Sequence, residues 1–512
     1  MCEISRRTVL LAALVAGAAA LGVGQDVLFP LTLKLESENL QRPLVFLDRS
    51  PRASGAFWYR TAEGAVYLDS EPTEYARVEG GFQGTWRTTD GRSASVTVTP
   101  VGQDFVLELS ADPDDDVVGW GMAVQASTDE FFTGAMERTV DGDQRESWRE
   151  DISEAMDLRG QRIEMLIRPT LSLYAPFFLS SAGYGLFFDT TWPGVYDFCH
   201  TTEDQVTLYH EGPSLRVEIY TGEPASVVRK HSLRAGPPIL PPKWVFRPWR
   251  WRDEHRNYPT FYDGTPVSAP YNSELVEDVL MMEALEIPVG VYWIDRPWAT
   301  GPMGYDDFQW DPERVPNAEG MIRWLNSKGI EFALWIAPWV MGDMADVALR
   351  EGYSLAGQKT RVQDVDPRVL LDFTNPDAVK WWQEEGLRPI LESGVKGFKM
   401  DRAEELVPDS REFKAFDNRT AREIHNEYPV QYIRAAWEIA HEVQGEDVAR
   451  MPRAGWAGAR GWGGWSGGVI GGRGGGVRAG VGGGVRGGGW GGGVGGGESG
   501  GVWGWGGVGG GG

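Results

Sequence analysis

The run Pro237-Pro238-Ile239-Leu240-Pro241-Pro242 constrains the fold more than any other feature of this chain. Each proline fixes its own φ and restrains the residue before it, so neither a helix nor a sheet ladder can run through. The hydrophobic rhythm differs on its two sides. From about Gln25 to Ala235, short apolar or alternating runs such as Val96–Thr99, Phe105–Leu109, Val206–Tyr209 and Leu215–Tyr220 are separated by Gly, Asp and Pro. That spacing predicts an antiparallel β-sandwich over residues 26–236.

After the prolines, strand and helix patterns alternate. Lys243–Arg252 reads as a first strand, and Asn272 or Ser273 caps a helix that ends near Glu286. Val289–Asp295 is the second strand. Asn317 caps the next helix, Gly329 closes it, and Phe332–Pro338 follows as the third strand. A helix from Asn375 to Ser393 then stops at Gly394. Strand, helix, strand in this order predicts a parallel sheet with right-handed crossovers, and this many units predicts a (β/α)8 barrel domain over residues 237–458.

Composition narrows the class of function. A 512-residue chain with 42% hydrophobic and 12% aromatic residues can bury large cores. Its net charge of −24 repels nucleic acid, and no basic cluster offsets it. The basic residues are mostly Arg, a pattern suited to a high-salt environment and equally produced by high-GC coding. The six His residues have no metal-ligand spacing, so neither a metal nor a cofactor is expected. Arg6-Arg7 before an Ala- and Leu-rich run to about Gly24 resembles a twin-arginine export signal, placed at residues 1–25. Its removal would leave an exported protein with no membrane span and, with Cys2 gone, Cys199 alone and no internal disulfide.

The segment Gly397-Phe398-Lys399-Met400-Asp401-Arg402-Ala403-Glu404-Glu405 is a short strand ending in charge. In a parallel barrel, carboxylates at the C-terminal ends of strands sit where chemistry is done. This segment resembles the nucleophile strand of glycoside hydrolase family 31, the α-glucosidase and α-xylosidase family. Val291–Asp295, Asp307–Pro316, Asp372–Pro376 with Trp381 and Trp382, Phe131–Arg138 and Tyr174–Phe187 resemble other family segments in the same order. The resemblance implies that Asp401 is the catalytic nucleophile, with Glu404 the acidic residue near it. It also implies substrate-binding roles for Asp295, Trp335, Lys399 and Arg453. Where family members carry a sugar-stacking Trp-Pro-Gly, this chain reads Gln363-Asp364-Val365-Asp366-Pro367-Arg368, which leaves Trp298 or Trp339 as candidate stacking faces.

A retaining glycosidase needs a second carboxylate about 5–5.5 Å from the nucleophile, to protonate the leaving oxygen and then activate water. The resemblance places it near Gly468, where the chain reads Trp465-Ser466-Gly467-Gly468. The acid/base is absent. Half of the 68 glycines follow Ala454, and residues 459–512 form a Gly-rich low-complexity segment. A damaged reading frame and a genuine Gly-rich tail are the two readings, and the decay of the family pattern near its catalytic signature favours the first. The expected architecture is thus a sandwich, an incomplete barrel and a low-complexity tail. The expected function is a retaining α-glycoside hydrolase acting on oligo- or polysaccharides, impaired as written. The alternative is a non-catalytic sugar-binding or inert remnant.

Overall fold

The structure is a computed structural model. It describes residues 23–28, 32–48, 55–76, 81–137, 156–169, 173–236, 239–252, 261–262, 265–266, 271–301, 303–355, 369–406 and 414–459. The twin-arginine pair, Arg138, the Gln363–Arg368 departure and the Gly-rich segment after Ala459 lie outside them. A strand, Val23–Leu28, pairs antiparallel with Thr32–Ser37 and so starts inside the stretch assigned to the signal.

Two antiparallel sheets, of nine and eight strands, form the N-terminal sandwich. Their alternating strands supply the shared core. Ala94, Val96 and Val98 of Ser93–Val101 are buried, as are Phe105, Leu107 and Leu109 of Asp104–Asp112. These rows join Trp120, Phe178, Tyr196 and Phe198 in one hydrophobic cluster. Every strand expected from the alternation is present.

Five parallel strands follow among the described residues, in the order Trp249–Arg252, Val291–Ile294, Glu331–Ile336, Gly397–Met400 and Ala449–Pro452. Helices Ser273–Ala284, Ala318–Ser327 and Tyr428–Gln444 lie in the crossovers. Asn272 and Asn317 cap the first two through their side-chain oxygens. Gly397 lets the central strands close up, since a Cβ there would meet the Ala449 carbonyl oxygen at 3.0 Å.

Two expected elements are broken by proline. Lys243–Phe246 is a 3₁₀ turn rather than the start of a strand. Pro248 then pushes Arg247 to an extended conformation, and the strand begins only at Trp249. The helix predicted over Asn375–Ser393 is α over Pro376–Trp381, π over Trp382–Leu387, and α again over Arg388–Glu392. Pro389 has no N–H for the carbonyl four residues back, so the ladder slips ahead of it.

The sandwich and the parallel sheet are joined through buried polar contacts. Asn426 accepts from the Ile167 N–H at 3.0 Å and donates to the Met165 carbonyl at 3.2 Å. The ring Nε2 of His425 is 2.7 Å from the Ile167 carbonyl oxygen. Arg422 forks onto Glu211, and Trp456 sits in the sandwich core while donating to the Thr190 carbonyl. The turn of helix Ala421–Ile424 with the two residues after it, and the loop after strand Ala449–Pro452, are therefore held against the sandwich.

Candidate active site

Asp401 follows the strand Gly397–Met400 directly, and its N–H bonds the Ile336 carbonyl of the neighbouring strand. Its side chain is buried among donors. Trp335 Nε1 donates to Oδ2 at 2.9 Å, Lys399 Nζ lies 3.1 Å from the same oxygen, and Arg453 Nη1 lies 2.8 Å from Oδ1. Burial works to raise its pKa, but the charges of Lys399, Arg453 and Arg402 prevail and hold the carboxyl well below the usual carboxylate range. A carboxylate must be ionised to act as a nucleophile, and the cations around Asp401 favour that form.

Lys399 sits between two carboxylates, with Asp295 Oδ2 at 3.6 Å on its other side. The rings of Trp293 and Trp335 flank it, each with its centroid 5.4 Å from Nζ. Asp295 ends its own strand, and burial raises its pKa against the pull of Lys399. Tyr305 packs edge-on against Trp335 at 4.4 Å and steadies the indole that donates to Asp401.

After Asp401 the chain turns sharply. Arg402 and Ala403 both have left-handed backbone, with φ of 69° and 79°. Side chains disfavour that region, and such outliers gather where surroundings over-determine the backbone. The turn brings Glu404 and Glu405 back toward Arg453. Arg453 Nη2 donates to Glu404 and lies 3.9 Å from Glu405, while Arg402 Nη1 donates to Glu405 at 3.1 Å. Burial pushes the Glu405 carboxyl up to about 7. Asp295, Trp335, Lys399, Asp401, Glu404 and Arg453 thus form one cluster drawn from two neighbouring strands and from the residues that follow three of the five.

Glu405 and Trp293 have no role in the sequence reading, yet both touch this cluster. The double Glu after Asp401 was the only available signal for the first. Trp298 and Trp339 are corrected from candidate stacking faces to core residues, at 0% and 1% exposure. Trp298 spends its indole N–H on the Trp335 carbonyl. Asp372, in a segment shared with the family, is a loop clamp: its carboxylate accepts from Thr374 and from the Phe416 N–H.

Comparison with known proteins gives this geometry a family. Residues 238–471 match the family model described as the glycosyl hydrolases family 31 TIM-barrel domain. These residues carry the TIM-barrel domain of glycoside hydrolase family 31. The chain is 30% identical over 282 residues to alpha-xylosidase XylQ of Lactiplantibacillus pentosus, covering 54% of this chain and 35% of that protein. It is 24% identical over 280 residues to a sulfoquinovosidase of Escherichia coli K12, covering 52% and 38%. The chain therefore spans little more than a third of the length of these relatives. A family 31 sulfoquinovosidase from E. rectale shares the fold at a TM-score of 0.65 and 17% identity, covering 86% of this chain and 67% of that one. The family 31 match covers the residues of the parallel sheet, and the solved relative shares the fold over most of the chain.

Proposed function

We propose that this family 31 chain carries the nucleophile half of a retaining α-glycosidase site, acting on α-xylosides or α-glucosides, with Asp401 as nucleophile. The observation that carries the reading is the ionised, buried Asp401 fixed by Trp335, Lys399 and Arg453. In the reaction, a carboxylate oxygen of Asp401 bonds to the anomeric carbon as the bond to the leaving oxygen breaks. Asp295 and Arg453 are placed to bind the hydroxyls of that sugar. The alpha-xylosidases among the relatives support the substrate class.

The reading includes impairment. Between Asp447 and Glu498 the sequence holds no Asp or Glu, so no carboxylate stands near Gly468, where the resemblance puts the acid/base. Without it, an unactivated leaving group departs as an alkoxide, and water is not activated afterwards. A second reading, a sugar-binding remnant without turnover, is favoured by the same absence.

An α-xylosyl or α-glucosyl fluoride separates the two, because fluoride leaves without a proton. The expected result is a glycosyl adduct on the peptide containing Asp401, seen by mass spectrometry and lost in Asp401→Ala. A folded chain that gains no adduct, or one elsewhere, would overturn the nucleophile assignment.

A further inference from the structure

The loop after Asp401 gathers more acid groups than the cations around them neutralise. Among the described residues, Asp295, Asp401, Glu404 and Glu405 meet three cations within ion-pair distance: Lys399, Arg402 and Arg453. The side chains of Glu404 and Glu405 are 0% and 5% exposed. Surplus negative charge in so buried a cluster is costly, which favours a proton on one of the four carboxyls.

Glu405 is the carboxyl placed to hold that proton. Asp401 is met by Lys399, Arg453 and the Trp335 indole, and Glu404 by the direct bond from Arg453 Nη2. Asp295 has Lys399 at 3.6 Å and accepts from the Arg296 N–H at 2.9 Å. Glu405 Oε1 has the 3.1 Å bond from Arg402, a half-buried guanidinium that also lies 5.3 Å from the Trp339 ring centroid. Its Oε2 is buried with no hydrogen-bond partner among the described residues, as is the hydroxyl of Tyr432 on helix Tyr428–Gln444. The charged and titratable groups acting on Glu405 come from three elements. Asp401, Arg402 and Glu404 are on its own segment, Arg453 follows the neighbouring strand, and Tyr428 and Tyr432 are on the helix, both kept neutral by burial.

We propose that Glu405 is a positioning residue for Asp401, acting through Arg453. The guanidinium is the link: Nη1 lies 2.8 Å from Asp401 Oδ1, while Nη2 bonds Glu404 and lies 3.9 Å from Glu405 Oε1. While Glu405 is neutral, Arg453 stays on the nucleophile. When Glu405 gives its proton to solvent, a full negative charge stands beside Nη2 and draws the guanidinium toward the two glutamates. Trp335 and Lys399 then hold Asp401 by Oδ2 alone. A carboxylate fixed at one oxygen turns more freely and lines up less often with the anomeric carbon. Burial lifts the Glu405 carboxyl to about 7, which sets the change near neutral pH. The proposal rests on the reading of Asp401 as nucleophile and adds a proton that governs its orientation.

The test is the rate at which α-xylosyl fluoride labels Asp401 in the full chain, followed by mass spectrometry from pH 5.5 to pH 8.5. Fluoride leaves without a proton and Asp401 is ionised throughout, so neither supplies a pH dependence in this range. The unaltered chain should label about tenfold more slowly at the upper end, the scale of one charge-assisted hydrogen bond. In Glu405→Gln, which has no charge to gain, the ratio of the two rates should be near one. Glu405→Met, of similar length and apolar, should give the same ratio and serves if the amide prevents folding. A rate in the unaltered chain that does not fall with pH overturns the proposal. So does a fall that persists in both variants, which would belong to Asp295, the other carboxyl raised by burial. An adduct that forms on Asp401 at a pH-independent rate rejects Glu405 alone, whereas no adduct at any pH rejects the nucleophile reading and the positioning role with it.

Discussion

Arg453 holds Asp401 and Glu404 with different arms of one guanidinium: Nη1 lies 2.8 Å from the Asp401 carboxylate, and Nη2 donates to Glu404. The backbone N–H of Arg453 bonds the Met400 carbonyl, so its place is set by the strand that carries Asp401. Orientation of the Asp401 carboxylate therefore depends on a half-buried arginine that must stay paired. Arg453→Ala leaves two buried carboxylates short of a partner. It should lower unfolding stability by about 1–3 kcal/mol at pH 7 in a urea titration. It should also slow labelling by a glycosyl fluoride more than Arg453→Lys does, because only the guanidinium reaches both acids.

The depressed pKa of Asp401 has a signed consequence. Its folded pKa lies below the unfolded value of about 3.9, so its ionised form stabilises the fold above that pH and the contribution is lost as pH falls. The unaltered protein should be more stable than Asp401→Asn at pH 7, and the gap should close below about pH 4. A gap independent of pH would mean the carboxylate is not held by its cations.

Glu405 carries the opposite sign. Burial lifts its carboxyl to about 7, above the unfolded range, so its stabilising effect is present at low pH and lost as pH rises through 7. Glu405→Gln should match the unaltered protein near pH 5 and exceed it at pH 8, read from urea midpoints at both values. Equal midpoints at pH 8 would place the carboxylate comfortably between Arg402 and Arg453 as an ion.

Much of this was legible in residue order. Strand alternation marked the sandwich, side-chain caps at Asn272, Asn317 and Asn375 marked helix starts, and Asp295 and Asp401 stood at strand ends. These are local signals, carried by a few neighbouring residues. The pairing of Arg453 with Glu404 and the stack of Trp251 on Trp293 were not legible, since they depend on register between strands tens of residues apart. The π turn before Pro389 was legible in principle, because the missing N–H is a property of that residue alone.

The joint between the two domains gives a test of fold away from the chemistry. Asn426 is fully buried and satisfies both the Ile167 N–H and the Met165 carbonyl. Asn426→Ala should cost about 2–4 kcal/mol, because two buried backbone groups lose their partners. Asn426→Asp should cost at least as much above pH 5, since a carboxylate cannot donate to the Met165 carbonyl.

The last prediction concerns leaving groups. General acid help is worth about 10²–10⁴-fold, and it matters most when the departing oxygen is basic. With no carboxylate between Asp447 and Glu498, the first step should depend steeply on the acidity of the leaving group. Glycosyl fluorides and nitrophenyl α-glycosides should label Asp401, whereas maltose should not be cleaved measurably. The second step should be slow as well, because the same missing group would activate water, so the adduct should accumulate rather than turn over. Azide, a nucleophile that needs no base, should release the accumulated sugar as the α-glycosyl azide, because it displaces Asp401 from the face opposite to the one that Asp401 attacked. Hydrolysis of maltose that depends on Asp401 would show that another group supplies the proton, and Glu405, with its carboxyl raised to about 7, would be the first to replace by Gln.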